Sequence, residues 1–217
     1  MSIVRSFAAP AENANARDRL LDAATELFSV SGYDVTSVRV IVDRAGTNLN
    51  AINYYFGGKR GLYEAVMARE TTRARTFTEG LPRATAGDPI ELRLESVVLR
   101  LLTFFVSPHS RLPRLAALEV VNPSLDFAAS GPAIHDAERV ELRAIVADVL
   151  GAGAGDEALD QAVRAVLSQC VYFMFMNDAL RRAGSPVFAS AAAVRTLAAQ
   201  ITAFSIGGLR ALATARA

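Results

Sequence analysis

The sequence contains one cysteine, Cys170, among its 217 residues. A lone cysteine cannot form an intramolecular disulfide, and without CxxC pairs or Cys/His clusters a structural zinc site is excluded. Apolar runs such as residues 101–106 are much shorter than the roughly 18 residues that span a bilayer, and the N-terminus lacks the apolar stretch of a secretory signal. We therefore expect a cytoplasmic protein without a cofactor, a metal or a membrane partner.

Catalytic signatures are missing as well. The two histidines belong to no HExxH motif, and the chain contains neither GxSxG nor a phosphate-binding glycine loop. We expect that the protein is not an enzyme, although a buried pair of carboxylates stays open as a catalytic alternative.

The chain also lacks an excess of charge of one sign. It has 23 basic and 22 acidic residues, a net charge of +1, and Lys59 is its only lysine. This balance excludes a histone-like protein but leaves room for a local nucleic-acid surface. Because 52% of the residues are hydrophobic, the chain is able to build a core, as one domain or two small ones.

Alternating Val/Ile/Thr stretches are almost absent, so the sequence predicts an all-α fold. An N-cap at Asn15 and a stop at Ser31-Gly32 bound the first predicted helix, and Thr36 is the predicted N-cap of the second. Further helices are predicted at about 49–56, 59–81, 88–107, 112–121, 124–150 with a break near 131–132, 156–183 and 187–213.

Two short helices joined by a glycine turn stand out in the first quarter of the chain. Val42, Gly46 and Ile52 have the spacing of a helix-turn-helix, in which an apolar residue lies six positions after the turn glycine. This motif presents its second helix to the major groove of DNA. Three residues at this spacing are common in helical proteins, so the order of the surrounding motifs matters more.

Residues 17–70 contain, in order, the motifs LLDAATELFSVSGY, TSVRVIVDRAG and NYYFGGKRGLYEAV. With these motifs the segment resembles the DNA-binding domain of the TetR family of bacterial transcriptional regulators. The stretches AINYYFGGK and SQCVYFMF are similar to the CecR-like subgroup. Pro10 and the alanine-rich flank give residues 1–12 no periodic apolar face, so we expect a flexible arm there. The resemblance implies an N-terminal three-helix helix-turn-helix domain at 13–58. Helix 59–81 links this domain to a C-terminal helical ligand-binding and dimerisation domain within 59–217.

The resemblance also implies a function. Such a regulator is a homodimer that places one recognition helix of each subunit on a double-stranded DNA operator, while its second domain binds a small-molecule effector. We expect a repressor that a small, mostly apolar ligand releases from DNA. A constitutive DNA-binding dimer without a ligand switch is the alternative. An enclosed apolar cavity in the second half favours the first, and a filled core favours the second.

The family's contact positions carry over residue by residue. Arg39 matches a position that reaches a base or a phosphate, and arginine pairs well with guanine. Tyr55 and Lys59 match phosphate-contacting positions, although Tyr55 is equally suited to packing against the first helix. Asn53 and Ala51 replace a tyrosine and a hydroxyl residue of many family members, which puts those two contacts in doubt. The implied DNA-binding residues are Ser37, Arg39, Thr47, Asn48, Leu49, Asn50, Ala51, Asn53, Tyr54, Tyr55 and Lys59.

The recognition stretch 47–58 contains no charged residue. Sequence discrimination must then depend on amide, hydroxyl and apolar contacts. Between residues 31 and 62, Arg39, Arg44, Lys59 and Arg60 outnumber two aspartates, a net charge of +2. We expect few phosphate contacts in each head, and these contacts set how steeply DNA affinity depends on salt.

Apolar and aromatic residues in the second half fit a ligand cavity, a dimer interface or a packed core. Our hypothesis for the cavity names Phe104, Phe105, Phe127, His135, Tyr172 and Phe175, with His135 and Tyr172 as its polar groups. An apolar stripe in 156–183 and a seam in the last helix fit a four-helix dimer interface. The residues predicted for that interface are Val163, Val166, Leu167, Cys170, Met174, Val194, Leu197, Ile201, Phe204 and Gly208.

Overall fold

The computed structural model describes residues 10–106, 111–123 and 136–215. Within these ranges the structure contains helices and no strand, which confirms the all-α prediction. The helices are α1 (Pro10–Val35), α2 (Val38–Ala45), α3 (Leu49–Phe56), α4 (Lys59–Glu79), α5 (Ile90–Val106), α6 (Leu112–Val121), α7 (Asp136–Leu150), α8 (Asp156–Arg182) and α9 (Ala191–Thr214), with a 3₁₀ turn at Pro186–Phe188.

The first helix begins earlier than predicted. It starts at Pro10, so an N-cap at Asn15 is wrong and residues 10–12 of the predicted arm are helical. Proline suits the first turn of a helix because it needs no hydrogen-bond acceptor there. Gly32 has a φ of +79°, so the predicted stop at Ser31-Gly32 corresponds to a break in the backbone of α1.

The N-cap of α2 is Ser37 and not Thr36. Ser37 Oγ accepts a hydrogen bond from the Val40 amide at 3.3 Å. The Thr36 hydroxyl is turned away from α2, because it donates to the Gly32 carbonyl at 2.7 Å and the Thr36 side chain is buried. The predicted bounds of α3 and α6 agree with the structure.

Packing divides the chain into two units. The described residues up to Thr72 and the stretch 114–123 form the first unit, and 73–106, 111–113 and 136–215 form the second. Helix α4 therefore contributes residues to both units, and most of α6 belongs with the N-terminal helices. The predicted domain bounds had assigned α6 to the second half.

The first unit has its own apolar core. Phe28, Ile41, Ile52, Leu62 and Val66 are buried in it together. Each such side chain contributes roughly 1.5–3 kcal/mol relative to an exposed one. Arg69 links α4 to α1 beside this core. Its guanidinium donates to Asp22 Oδ1 at 2.8 Å and to the Leu21 carbonyl at 3.0 Å, both on α1.

The second unit is built around α5, which packs against α7, α8 and α9. Half of the ten residues predicted for a dimer interface lie in this core. Val163, Cys170, Val194 and Ile201 are buried within the subunit, so their assignment to the interface is wrong. Val166 is buried too, but it also lines a groove between α8 and α9. Leu167, Met174 and Leu197 are half-buried, and only Phe204 and Gly208 of the predicted set are exposed.

The predicted ligand cavity is also not assembled as expected. Phe104 and Phe105 are buried on α5, whereas 52% of Tyr172 and 43% of Phe175 are exposed on α8. These two aromatic residues lie on the side of α8 opposite to buried Cys170 and Val166, because of the 3.6-residue helical period. Their assignment to the cavity is therefore wrong. Phe127 and His135 lie outside the described residues.

The sequence did not predict that α5 contains a buried arginine. Arg100 is fully buried, donates to Ser96 Oγ at 2.8 Å and forms an ion pair with Glu141 on α7. Burial lowers the pKa of Arg100 because it removes water from the guanidinium.

The last helix, α9, is long and apolar enough to cross a bilayer by length and composition alone, as are many core helices of soluble proteins. It packs against α5 and α7.

Candidate nucleic-acid interface

Helices α2 and α3 form a helix-turn-helix. The turn is made by Gly46, whose φ of +62° is in the left-handed region that glycine adopts without strain. The amide of Thr47 closes the turn by donating to the Val42 carbonyl at 3.0 Å. Val42 and Ile52 are buried in the core of the first unit, as their spacing indicated.

One face of α3 is open to solvent. Leu49, Asn50, Asn53 and Tyr54 are exposed, and their positions i, i+1, i+4 and i+5 place them on one side of the helix. The exposed fractions of the two apolar members are large, 47% for Leu49 and 77% for Tyr54. Asn48 starts the helix, since its Oδ1 accepts a hydrogen bond from the Ala51 amide at 3.1 Å.

Three of the predicted contact residues are less accessible to solvent than the exposed face of α3. The Thr47 hydroxyl is shielded from solvent and has no hydrogen-bond partner in the described part of the chain, so its predicted exposure is wrong. Ala51 is half-buried. Tyr55 packs against the core of the first unit, with its ring 4.9 Å from that of Tyr54. Tyr55 therefore packs within the first unit, which is the second of the two roles that its position allowed.

The N-terminal half of α2 presents a second exposed group. Ser37 and Arg39 are exposed, and Arg39 forms no ion pair or hydrogen bond with any described residue. Val40 beside it is exposed too, and the sequence analysis missed it. Helical periodicity was the available signal, because Ile41 and Val42 already fill the core side of this short helix.

Lys59, at the first position of α4, is partly engaged within the protein. Its ammonium lies 4.3 Å from the centroid of the Tyr33 ring and donates to the Asp34 carbonyl at 3.3 Å. Partial burial lowers the pKa of Lys59, and the attraction of Asp34 opposes this shift. A phosphate at this helix start would meet a cation that is already positioned.

The rest of the predicted basic surface is largely neutralised. Arg44 pairs with Glu26 at 2.5 Å and Arg60 pairs with Glu64 at 2.9 Å. The guanidinium of Arg17 lies over the Phe56 ring, 5.3 Å from its centroid. The net charge of +2 thus overstates the number of unpaired cations, whereas Arg39 is exposed and forms no ion pair with any described residue.

The described residues include no group of three or more His, Cys, Asp or Glu side chains that could hold a metal ion.

Comparison with known proteins gives matches to both halves of the chain. Residues 20–66 match the family model of bacterial regulatory proteins of the tetR family. Residues 90–209, more than half of the chain, match the model of the C-terminal domain of the HTH-type transcriptional dual regulator CecR.

Curated relatives are similar over part of their length. The probable HTH-type transcriptional regulator YttP of Bacillus subtilis is 32% identical over 110 residues, which are 48% of this chain and 50% of YttP. The HTH-type transcriptional regulator SrpR of Pseudomonas putida is 33% identical over 110 residues, 50% of this chain and 47% of SrpR. The chain thus spans about half the length of these relatives.

A solved structure supports the fold over nearly the whole chain. A TetR family transcriptional regulator from Chloroflexus aurantiacus has a TM-score of 0.69 at 21% sequence identity, covering 93% of this chain and 95% of that one. At this identity the likeness concerns the fold alone. Together with the two family models, it leads to one conclusion: the chain belongs to the TetR family of bacterial regulatory proteins, with a C-terminal domain of the CecR type.

Proposed function

We propose that this protein is a sequence-specific DNA-binding transcriptional regulator that acts in the cytoplasm as a homodimer on a double-stranded operator. The observation that carries the proposal is the exposed, uncharged face of α3. Burial of Val42 on α2 and Ile52 on α3 in the core of the first unit fixes this helix in place. Asparagine pairs with the N6 and N7 edge of adenine, and apolar side chains contact the thymine methyl group. Asn50 and Asn53 are the candidates for the first contact, and Leu49 for the second.

The proposed dimer uses the outer face of α8 and α9. An apolar groove of about 390 Å³ runs between these helices, lined by Ala162, Ala165, Val166, Phe204, Gly208 and Leu212 among others. Phe204 is 75% exposed. Large exposed apolar side chains in one patch are typical of an interaction site, and a two-fold axis lets one face cover its own copy.

The finer proposal is a repressor that a small, mostly apolar ligand releases from its operator. It is supported by the CecR-type second domain and by α4, which contributes residues to both units. A ligand that binds one conformation better than the other shifts DNA affinity by that difference and no more. One observation favours the alternative of a constitutive dimer: Tyr172 and Phe175 face solvent and not a cavity with Phe104 and Phe105.

Selection of duplexes from random DNA by the purified full chain tests DNA recognition. We expect one enriched palindromic site, because a symmetric dimer reads two half-sites. Fluorescence anisotropy on that site then compares two variants. Asn50→Ala should weaken binding about tenfold, in line with about 1–3 kcal/mol for a bidentate base contact. Gln200→Ala on α9, exposed in the second unit, is the matched control and should bind as wild type does.

Two results would contradict the proposal. One is a chain that stays monomeric and enriches no duplex at low salt. The other is an Asn50→Ala variant with unchanged affinity for the selected site. The ligand switch is tested separately, by screening small apolar compounds for release of the labelled duplex. If no compound releases it while binding stays specific, the constitutive alternative is the correct one.

A further inference from the structure

A notch of about 310 Å³ lies between α7 and α8 in the second unit. The notch is lined by three arginines, one acid and three apolar residues: Arg139, Arg143, Arg164, Asp160, Val140, Val163 and Leu167. Small-molecule sites in proteins have volumes of roughly 300–1,000 Å³ and combine apolar walls with a few polar groups. This arginine notch therefore has the size and the composition of a site for a small ligand.

The arginine notch is separate from the groove proposed for the dimer. Its α8 residues are 160, 163, 164 and 167, whereas the groove uses 162, 165, 166 and 169. Both sets follow helical spacing, and their mean directions lie on nearly opposite sides of the helix axis. A partner subunit on the groove would leave the notch open.

The guanidinium groups of the notch differ in what they already bind. Arg143 is held by two acids of α8, because it donates to Asp156 at 2.5 Å and forms an ion pair with Asp160. Arg164 is exposed and forms no hydrogen bond or ion pair with the residues that the structure describes. Arg164 therefore brings a positive charge that pairs with no acid among the described residues. A guanidinium offers two parallel N–H donors that match a carboxylate.

The apolar part of the notch points to more than an inorganic ion. Val140 is 67% exposed on α7, and Leu167 is half-buried on α8. Covering such apolar surface removes it from water and so stabilises a complex. We propose that the arginine notch binds a small organic monoanion, with its carboxylate on Arg164 and its ring or short chain on Val140 and Leu167.

Benzoate is a suitable probe, and benzamide is its uncharged counterpart of the same shape. The full chain, without DNA, is labelled on valine and leucine methyl groups and titrated with each compound by NMR. We expect saturable shifts of the Val140, Val163 and Leu167 methyl signals with benzoate, in the millimolar range for a ligand of this size. Benzamide should bind at least about fivefold more weakly than benzoate, because it lacks the negative charge.

Two arginine variants complete the test. Arg164→Gln should weaken benzoate binding to the level of benzamide, whereas Arg195→Gln, which removes an exposed arginine of α9, should leave it unchanged. Val140→Asp should abolish binding by adding a negative charge to the notch. Circular dichroism confirms that each variant is folded.

Equal binding of benzoate and benzamide, unchanged affinity in Arg164→Gln, or shifts confined to other methyl groups would each overturn the proposal. Because no DNA is present, this outcome is independent of whether the chain recognises an operator.

Discussion

The Tyr63 hydroxyl on α4 donates a hydrogen bond of 2.6 Å to Glu119 Oε1 on α6, and both side chains are buried. The Tyr63 ring also packs edge-on against Phe28 of α1, with centroids 5.0 Å apart. One tyrosine thus joins α1, α4 and α6 in the core of the first unit. This contact explains why most of α6, far along the chain, packs with the helix-turn-helix.

Tyr63→Phe should lower the free energy of unfolding by about 2 kcal/mol, because a hydrogen bond to a charged group contributes roughly 1.5–3 kcal/mol while the ring packing is kept. Urea unfolding measures the change. Tyr54→Phe removes an exposed hydroxyl of the same unit and should change stability by less than about 0.5 kcal/mol. If the two variants behave alike, the Tyr63–Glu119 hydrogen bond does not stabilise the unit.

The same contact predicts a loss of stability at high pH. Burial, followed by the bond to Glu119, raises the pKa of Tyr63 well above its ordinary value of 10.0. Above pH 10 the unfolded chain loses this proton and the folded chain keeps it, so the free energy of unfolding falls as pH rises, by at most about 1.4 kcal/mol per pH unit. Unfolding at pH 9 and pH 11 measures it.

Tyr63→Phe is also the control for this pH effect. Burial raises the pKa of Cys170 to about 12, which adds a slope of the same sign from pH 9 upward in both proteins. The wild type should therefore lose more stability between the two pH values than Tyr63→Phe does. Identical losses would show that Tyr63 titrates equally in both states.

Gly61→Ala should disrupt the junction of α3 and α4. A Cβ atom at Gly61 would lie 1.9 Å from the Phe56 carbonyl oxygen, a distance that forces the backbone to move. We expect a loss of more than about 2 kcal/mol, at the upper end for overpacking, and loss of DNA binding. Gly87→Ala, where a Cβ meets open space, is the matched control. A stable Gly61→Ala protein with wild-type DNA affinity would contradict this geometry.

Lys59→Gln should make DNA binding less dependent on salt. If each head uses Lys59 on one phosphate, the slope of log affinity against log salt decreases by about 1 per head. Titrations of the selected duplex at several salt concentrations measure the slope. Arg75→Gln removes an exposed arginine of α4 that pairs with Glu79 at 3.4 Å, and should leave the slope unchanged. Equal slopes for Lys59→Gln and wild type would show that Lys59 contacts Tyr33 and Asp34 but no phosphate.

Phe204→Glu should convert the dimer to monomers, because it places a charge in the centre of the apolar face of α8 and α9. Analytical ultracentrifugation measures the mass of the particle. Leu92→Glu changes another large exposed apolar residue, on α5 and 52% exposed, and should remain dimeric. Should Phe204→Glu stay dimeric, another surface joins the subunits.

Local signals in the sequence were sufficient for the helix-turn-helix. Glycines at 46 and 57 end α2 and α3 in left-handed conformations, and the spacing of Val42 and Ile52 identified two core residues of the motif. These features act between near neighbours in the chain, so a single sequence contains them. Gly61 was overlooked, because the distance that requires it joins two helices whose crossing the sequence does not specify.

Tertiary structure decided which apolar stripes of α8 and α9 are core and which are surface. Periodicity marks the apolar faces of a helix, but Val166 and Cys170 look no different in sequence from residues that a partner covers. Pairing of charges was decided in the same way, since Arg44 meets Glu26 from another helix. Burial and charge neutralisation depend on what lies opposite a side chain in space, and this is set by the packing of helices distant in the chain.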